Sequence, residues 1–422
     1  MTRNEFTARR NIPFSMGVLL AGNAITDAAV LVDGPDCTFF RARLLAGEHD
    51  ACSTLLAADG RHRLTQTGLH VDTAVAGHEA AFTEALQALC ADPDFALVLA
   101  TALPMATLTG IDHRRLVAGA SVRGRAPVAL LTERTVDEDW LDGYSRALVE
   151  IAQALDLSRT HQALGGVAVV GHVMDRGEAD QTANAAEIRR LVQGAGLQPV
   201  SVWLSGGSVR ELQGVEEAKW IVALPHGRKA AALLGRRLGV PVVDVDVPFG
   251  LDATDRFVRT LAAAAGPPHT SLAEEFVAAE HLSLARRWRG LVVRRLTHRT
   301  VGFEGDPALF RGFVELAAMF GMRVVALVAT SRPRPGLLRG WEGAPALCAR
   351  PEWQPQKGQD PGADAELYVA HSLARPPWQG TGSAPGRLIP HGFPSPGWHA
   401  CADAPFLGYR GALHFVDRLV NA

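Results

Sequence analysis

Cysteine is scarce in this 422-residue chain: five residues, at positions 37, 52, 90, 348 and 401. An odd, scattered set argues against a disulfide framework and suits a reducing compartment. Metal-ligand spacings are missing as well. There is no C-x-x-C and no H-E-x-x-H, so a self-contained zinc site has no support. His226, His371, His391 and His399 fall at expected strand ends or loops without such spacing. No G-x-S-x-G marks a hydrolase nucleophile. No P-loop occurs, and no complete G-x-G-x-x-G opens a helix, so a bound nucleotide is not expected. Neither sign of charge is in excess: 42 basic residues face 44 acidic ones, for a net charge of −2. That argues against nucleic acid and against a membrane surface as partner. No apolar run reaches membrane-spanning length. The first residues, MTRNEFTARRNIPF, carry no apolar signal core or cleavage site. A cytoplasmic protein is expected.

What is present is apolar material in short blocks. Hydrophobic residues make up 47% and the mean hydropathy is +0.06, enough to bury large cores. The length exceeds one ordinary core, so two or three domains are expected. Continuous apolar strands alternate with helical patterns throughout, which is the signature of doubly wound parallel sheets.

In residues 1–160 the expected strands are Ala29–Val32, Phe95–Ala100 and Val128–Leu131, with helices over His78–Ala91 and Asp137–Leu155. Residues 161–290 give strands at Gly166–Val170, Pro199–Leu204, Trp220–Ala223 and Val240–Val245. Helices are expected there over Thr182–Gly194 and Arg228–Leu238. Residues 291–422 repeat the theme, with strands at Arg299–Phe303, Arg323–Val328, Leu367–Ala370 and Arg387–Pro390. Their helices are Pro307–Phe320 and Leu413–Val420. Two Pro/Gly-rich stretches, Arg332–Asp364 and Arg375–Gly386, read as long loops. Three α/β domains of Rossmann-like type are therefore expected. The glycine-bearing turns at Gly171 and Ser205–Ser208 read as tight turns between strands and helices.

The stretch with chemical content is Ala28–Leu45, AAVLVDGPDCTFFRARLL. A buried strand meets the turn Asp33-Gly34-Pro35-Asp36, and Cys37 opens a helix. A helix N-terminus favours a thiolate through its unpaired N–H groups and dipole. Cys52 follows fifteen positions later, and a helix and turn between them would let the two approach as metal ligands. Cys90 closes an apolar helix and reads as core. Cys348 and Cys401 fall in loops.

Several stretches, in order, resemble the nitrogenase component 1 superfamily. Val30-Leu-Val-Asp-Gly-Pro-Asp-Cys37 is similar to the family's strand, turn and cluster-binding cysteine. Asp72-Thr-Ala-Val-Ala-Gly77 and Ala100–Asp112 are similar to its next helix start and its following strand and turn. Val240-Pro-Val-Val with Pro248-Phe-Gly-Leu-Asp-Ala-Thr-Asp255 resembles its "G-I-P…P-x-G-x-x-x-T-D" segment. Gly302-Phe-Glu-Gly-Asp-Pro307 resembles its third-domain strand. His391-Gly-Phe-Pro394 with Gly408-Tyr-Arg-Gly-Ala412 resembles the "G-F-P…G-Y-x-G" of β-type subunits.

The resemblance implies an iron–sulfur cluster, [4Fe–4S] or P-cluster-like, shared with an α-type partner in a heterotetramer. It also implies an ATP-dependent iron protein as electron donor. Of the family's three β-type ligand positions only Cys37 is a cysteine here; the others fall near Leu64 and on Pro104. The loop Leu224-Pro-His-Gly-Arg228 lacks the cysteine that anchors the α-type metal cofactor. The chain thus resembles a β-type partner that gives one thiolate and no acid, base or nucleophile. A four-iron cluster wants about four ligands, so the others must come from another chain. Asp36, rather than Asp33, is the candidate oxygen donor. Phe39 and Phe40 would shield the cluster and shape a docking surface. Two other readings stand beside this reductase subunit: a scaffold chain for metallocluster assembly, and a cofactor-free α/β binding protein with an inert Cys37.

Overall fold

The computed structural model describes residues 12–57, 59–121, 125–133, 138–158, 164–174, 178–331, 347–349, 362–374, 386–396 and 398–422. The expected boundary at 160/161 lies outside them, as does nearly all of both Pro/Gly-rich stretches. Among the described residues no helix is long and apolar enough to cross a membrane.

Each of the three expected α/β units has its own sheet. The first has the order β2-β1-β3-β4, with β1 at Ala28–Asp33, β2 at Leu64–Gln66, β3 at Leu97–Ala102 and β4 at Val128–Leu131. All its pairings are parallel, with Val30 opposite Leu64 on one side and Leu99 on the other. Both central strands are buried along their whole length, as a sheet covered on both faces requires. One face packs on Phe82, Leu86, Leu89 and Cys90 of the helix Glu79–Ala91.

The second sheet has the order β6-β5-β7-β8: β5 Gly166–Val170, β6 Gln198–Val202, β7 Trp220–Ala223 and β8 Val242–Asp244. The third has the order β11-β10-β9-β12-β13, with β9 at Thr300–Gly305, β10 at Arg323–Ala329, β12 at Leu367–Ala370 and β13 at Arg387–Pro390. Its fifth strand, β11 at Leu347–Ala349, corrects the expected loop 332–364. These three residues, Cys348 among them, pair in parallel with Leu327–Ala329. Three residues carry too little periodicity to be read as a strand.

The chain divides into two compact units. One holds Pro13–Met174 with Val200–Val242; the other includes Asp175–Pro199 with Val243–Ala422. In the first unit the helices Phe14–Asn23 and Trp140–Ala154 touch backbone to backbone. A Cβ on Gly17 would overlap the Trp140 carbonyl, and one on Gly143 would overlap the Phe14 carbonyl. Every residue of Phe14–Asn23 is buried, so it shows no polar face.

Candidate functional site

The carboxyl end of the first sheet gathers the chemistry-bearing side chains. β1 ends at Asp33, the turn Gly34–Asp36 follows, and Cys37 begins the helix Cys37–Leu45. Cys37 is a free, exposed thiol. Asp36 beside it is also exposed and makes no side-chain capping bond to the helix. Phe39 is half-buried, its ring 5.9 Å from that of His62. Phe40 is 80% exposed.

Asp33 is fully buried and saturated with hydrogen bonds. Thr67 Oγ1 donates to its Oδ1 at 2.7 Å and accepts from Gly34 N–H at 3.1 Å. His78 Nε2 lies 3.0 and 3.1 Å from its two carboxylate oxygens, and His113 Nε2 lies 2.6 Å from Oδ2. Both imidazoles are nearly as buried as the carboxylate. Burial works against the charge of Asp33. The hydrogen bonds from His113, Thr67 and His78, with the His78 charge, outweigh it and hold the carboxyl below the usual range. With Asp33 ionised, both Nε2 atoms carry hydrogen and donate. The backbone is fixed as well: Leu103 N–H bonds the Asp33 carbonyl at 2.9 Å, and Leu69 N–H bonds that of Gly34 at 3.1 Å. The turn before Cys37 is therefore pinned from the segments after β2 and β3.

His78 and His113 carried no signal in the sequence. They lie 45 and 80 positions from Asp33, and only the fold brings them to it.

Cys52 is exposed and free, on a loop anchored from below. Its N–H donates to Asp50 Oδ1 at 3.1 Å, while Asp50 Oδ2 accepts from Asn23 Nδ2 at 2.7 Å. Ser53 Oγ donates to Asn23 Oδ1 at 2.6 Å. Where the loop ends, Arg63 reaches the carbonyls of Gly22, Ile25 and Ala28 at 3.1, 3.0 and 2.5 Å. Burial pushes its pKa down to about 10, against the pull of Asp27.

Cys90 packs in the core and burial pushes its thiol pKa up. Cys401 is exposed. The candidate histidines stay apart in role. His391 is boxed by Phe249, Phe303, Phe406 and Phe415. His371 Nε2 is 3.6 Å from Glu304 Oε1, and His226 sits buried in a short 3-10 turn. His399 is exposed. Among the described residues no three His, Cys, Asp or Glu side chains are grouped to hold a metal ion.

The glycine turns have structural causes. Gly171 has φ +106°, and a Cβ there would press on the backbone of Gly227 and Leu224. Ser208 caps the helix Val209–Gln213 through a reciprocal capping box with Glu211.

The end of the sheet that carries Cys37 is rimmed with exposed apolar side chains. Phe40 belongs to the helix after β1. Val71 and Val75, 73% and 87% exposed, belong to the helix Val71–Ala76 after β2. Leu108, 87% exposed, belongs to the helix Pro104–Leu108 after β3. The last two helices share the small cluster of Leu69, Ala74, Ala102, Met105 and Ala106.

Solved structures share the whole architecture. That of nitrogenase Cp1 at pH 6.5 superimposes with a TM-score of 0.76 at 15% identity, covering 97% of this chain and 91% of that one. Nitrogenase Cp1 at pH 5 gives 0.71 at 15% identity, covering 97% and 87%. The family model for nitrogenase component 1 type oxidoreductases matches residues 15–422. The chain belongs to the family of nitrogenase component 1 type oxidoreductases.

Proposed function

We propose that this chain is the β-type subunit of a nitrogenase-like reductase, and that Cys37 gives one thiolate to an iron–sulfur cluster shared with an α-type subunit. One observation carries the reading. An exposed thiol sits on a rigid turn at a helix N-terminus, on a sheet end rimmed with bare apolar side chains. The donors present fit one corner of a cluster and not a whole one. Leu64 and Pro104 stand where two further thiolates are expected, and no three metal-ligating side chains group among the described residues. A cluster of four irons wants about four ligands, so the remainder belong to the partner.

Apolar area of this kind is normally covered in a stable complex. Phe40, Val71, Val75 and Leu108 would lie beneath the α-type subunit or the docked electron donor. Two such pairs would make the heterotetramer, in the cytoplasm. When bound, the cluster would relay single electrons from an ATP-dependent iron protein toward the α-type subunit. This chain's own part is to hold and orient: Asp33, Thr67 and the two histidines fix the turn, Cys37 ligates, and Asp36 and Cys52 are the further candidate donors. Phe39 and Phe40 keep water away. The domain limits we propose are 1–160, 161–290 and 291–422, one sheet to each.

The deciding experiment is iron and acid-labile sulfide on anaerobically purified complex, wild type beside Cys37→Ser. Stoichiometric iron that drops in the variant supports the shared cluster. Iron absent from both, or unchanged in the variant, overturns the ligand assignment. Transfer of a cluster to a second protein, in place of turnover, would mark an assembly scaffold.

A further inference from the structure

The helix Gly408–Asn421 has apolar side chains beyond its core face. Tyr409, Ala412, Phe415, Val416 and Leu419 are buried against the body of the chain. At about 100° per residue, Val416, Val420, Leu413, Asp417 and Arg410 follow one another around the next flank. The order runs from apolar to charged and from buried to exposed. Val416 is 1% exposed, Val420 and Leu413 are half-buried, and Asp417 and Arg410 are exposed. This flank forms one wall of a cavity of about 540 Å³. The helix Glu178–Gly194 adds Ala183 and Ala186, whose small side chains leave the space open. Arg287, Trp288 and Val292 add a further wall where the helix His269–Arg287 gives way to the helix Leu291–Leu296. Trp288 is packed edge-on against Phe320 at 5.2 Å. All of these residues belong to one compact unit. A cavity of this size, apolar with a few polar groups at its edge, suits a small organic molecule.

The charges at the rim select the head of that molecule. Glu187 is engaged by Arg190 through two bonds of 2.7 and 2.6 Å, and Asp417 accepts from Asn421 Nδ2 at 3.1 Å. Arg287 has no ion-pair partner among the described residues. Arg410 lies 3.7 Å from Glu187 with 65% of its side chain exposed, and Arg295 reaches the Val420 carbonyl at 3.3 Å. Residues 281–303 hold six arginines and no acidic residue, a run that the balanced totals of the whole chain conceal. The Arg287 side of the cavity is therefore positive and attracts an anion. Asp403, also without an ion pair among the described residues, stands at the rim with Asp417 and repels a second negative group. A guanidinium fork matches a carboxylate with two parallel N–H···O bonds.

We propose that this cavity binds an apolar monocarboxylate, its head on Arg287 and Arg410 and its body against Val292, Leu413, Val416 and Val420. The site is separate from the Cys37 turn, and it stands whether or not Cys37 ligates a cluster.

The test is isothermal titration calorimetry of the purified full chain. Decanoate and 2-naphthoate present the same head on a chain and on a ring, and the tighter of the two gives the shape of the body. Decanedioate and decylamine carry the ten-carbon chain with a second anion or with a cation in place of the carboxylate. Decanoate should bind more tightly than either. Octanoate should be weaker by up to about fourfold for each methylene lost. Arg287→Gln should weaken decanoate by about tenfold, the loss of one hydrogen bond to a charged group. Asp403→Asn should strengthen decanoate and admit decanedioate. Ala186→Phe, at an exposed helix position, puts a ring into the cavity and should abolish binding. Failure of both decanoate and 2-naphthoate to bind overturns the proposal. So does decylamine binding as tightly as decanoate. So does decanoate affinity left unchanged by Arg287→Gln or by a folded Ala186→Phe. Should Ala186→Phe not fold, the opposite shifts in Arg287→Gln and Asp403→Asn decide, and shifts of the same sign overturn the proposal.

Discussion

The Tyr409 hydroxyl donates a 2.7 Å hydrogen bond to Asp255 Oδ1. The bond joins two of the segments by which the sequence resembles its family, the one ending Thr254-Asp255 and Gly408-Tyr409-Arg410-Gly411. Asp255 also receives His281 Nε2 at 2.9 Å and Arg259 Nη1 at 3.3 Å. The Thr254 hydroxyl turns back to the Gly250 carbonyl at 2.6 Å, and Gly408 N–H reaches the Pro248 carbonyl at 2.7 Å. These motif residues clasp the C-terminal helix Gly408–Asn421 to the helix Leu251–Ala265; they are a fastening, not a reaction centre.

Tyr409→Phe should lower stability by about 1 kcal/mol, the usual worth of one hydrogen bond when the acceptor keeps other partners. A urea titration would show a lower midpoint at unchanged slope. Burial, then the bond to Asp255 and its charge, push the Tyr409 phenol up. The unfolded phenol ionises near pH 10 while the folded one stays neutral, so this contribution is full below that pH and is lost as pH rises. The alkaline decline in stability should therefore be shallower in Tyr409→Phe.

Asp33→Asn weakens the buried hydrogen bonds that Thr67, His78 and His113 make to the carboxylate and should cost about 3 kcal/mol. The sign with pH is the reverse of Tyr409. The Asp33 carboxyl is held down in the fold, so its contribution is present above the unfolded value of about 3.9 and is lost as pH falls through the folded one. Thermal melts over an acid series should show a loss near neutral pH that shrinks as the solution is acidified.

Gly17→Ala would normally favour a helix by up to about 1 kcal/mol. Here the new methyl group meets the Trp140 carbonyl. The helices Phe14–Asn23 and Trp140–Ala154 must separate, at roughly 2 kcal/mol net. Chemical denaturation of Gly17→Ala beside an alanine variant at exposed Gly119 isolates the contact.

Thiol labelling of the native chain alone, read by peptide mass, should modify Cys37, Cys52 and Cys401 quickly. Cys90 should react only on unfolding, since it is fully buried and its thiol is pushed up.

The strands were legible because apolar runs such as VLVD and LVLATA have few other destinations. Several expected elements, such as Trp220–Ala223 and Arg228–Leu238, match the structure residue for residue. Others were out of reach. Phe14–Asn23 is buried all round, so it lacks the polar face by which helices are recognised. Leu64–Gln66 and Leu347–Ala349 are three residues each, too short for a period to appear. The helices Leu251–Ala265 and His269–Arg287 are not among the elements expected from the sequence. At the site, the turn and its cysteine were local and readable. The partners of Asp33 were not, because a hydrogen bond across 80 positions leaves no trace in spacing.

The compact unit that carries Cys37 is not a continuous length of chain. It takes Pro13–Met174, gives up Asp175–Pro199, and resumes with Val200–Val242. A ribosome therefore cannot deliver it finished when the first sheet is complete. The unit closes only after residue 242 has emerged. Truncations that stop between 175 and 242 should yield an open, chaperone-dependent species, and a tagged fragment for isolating this unit must run through Val242.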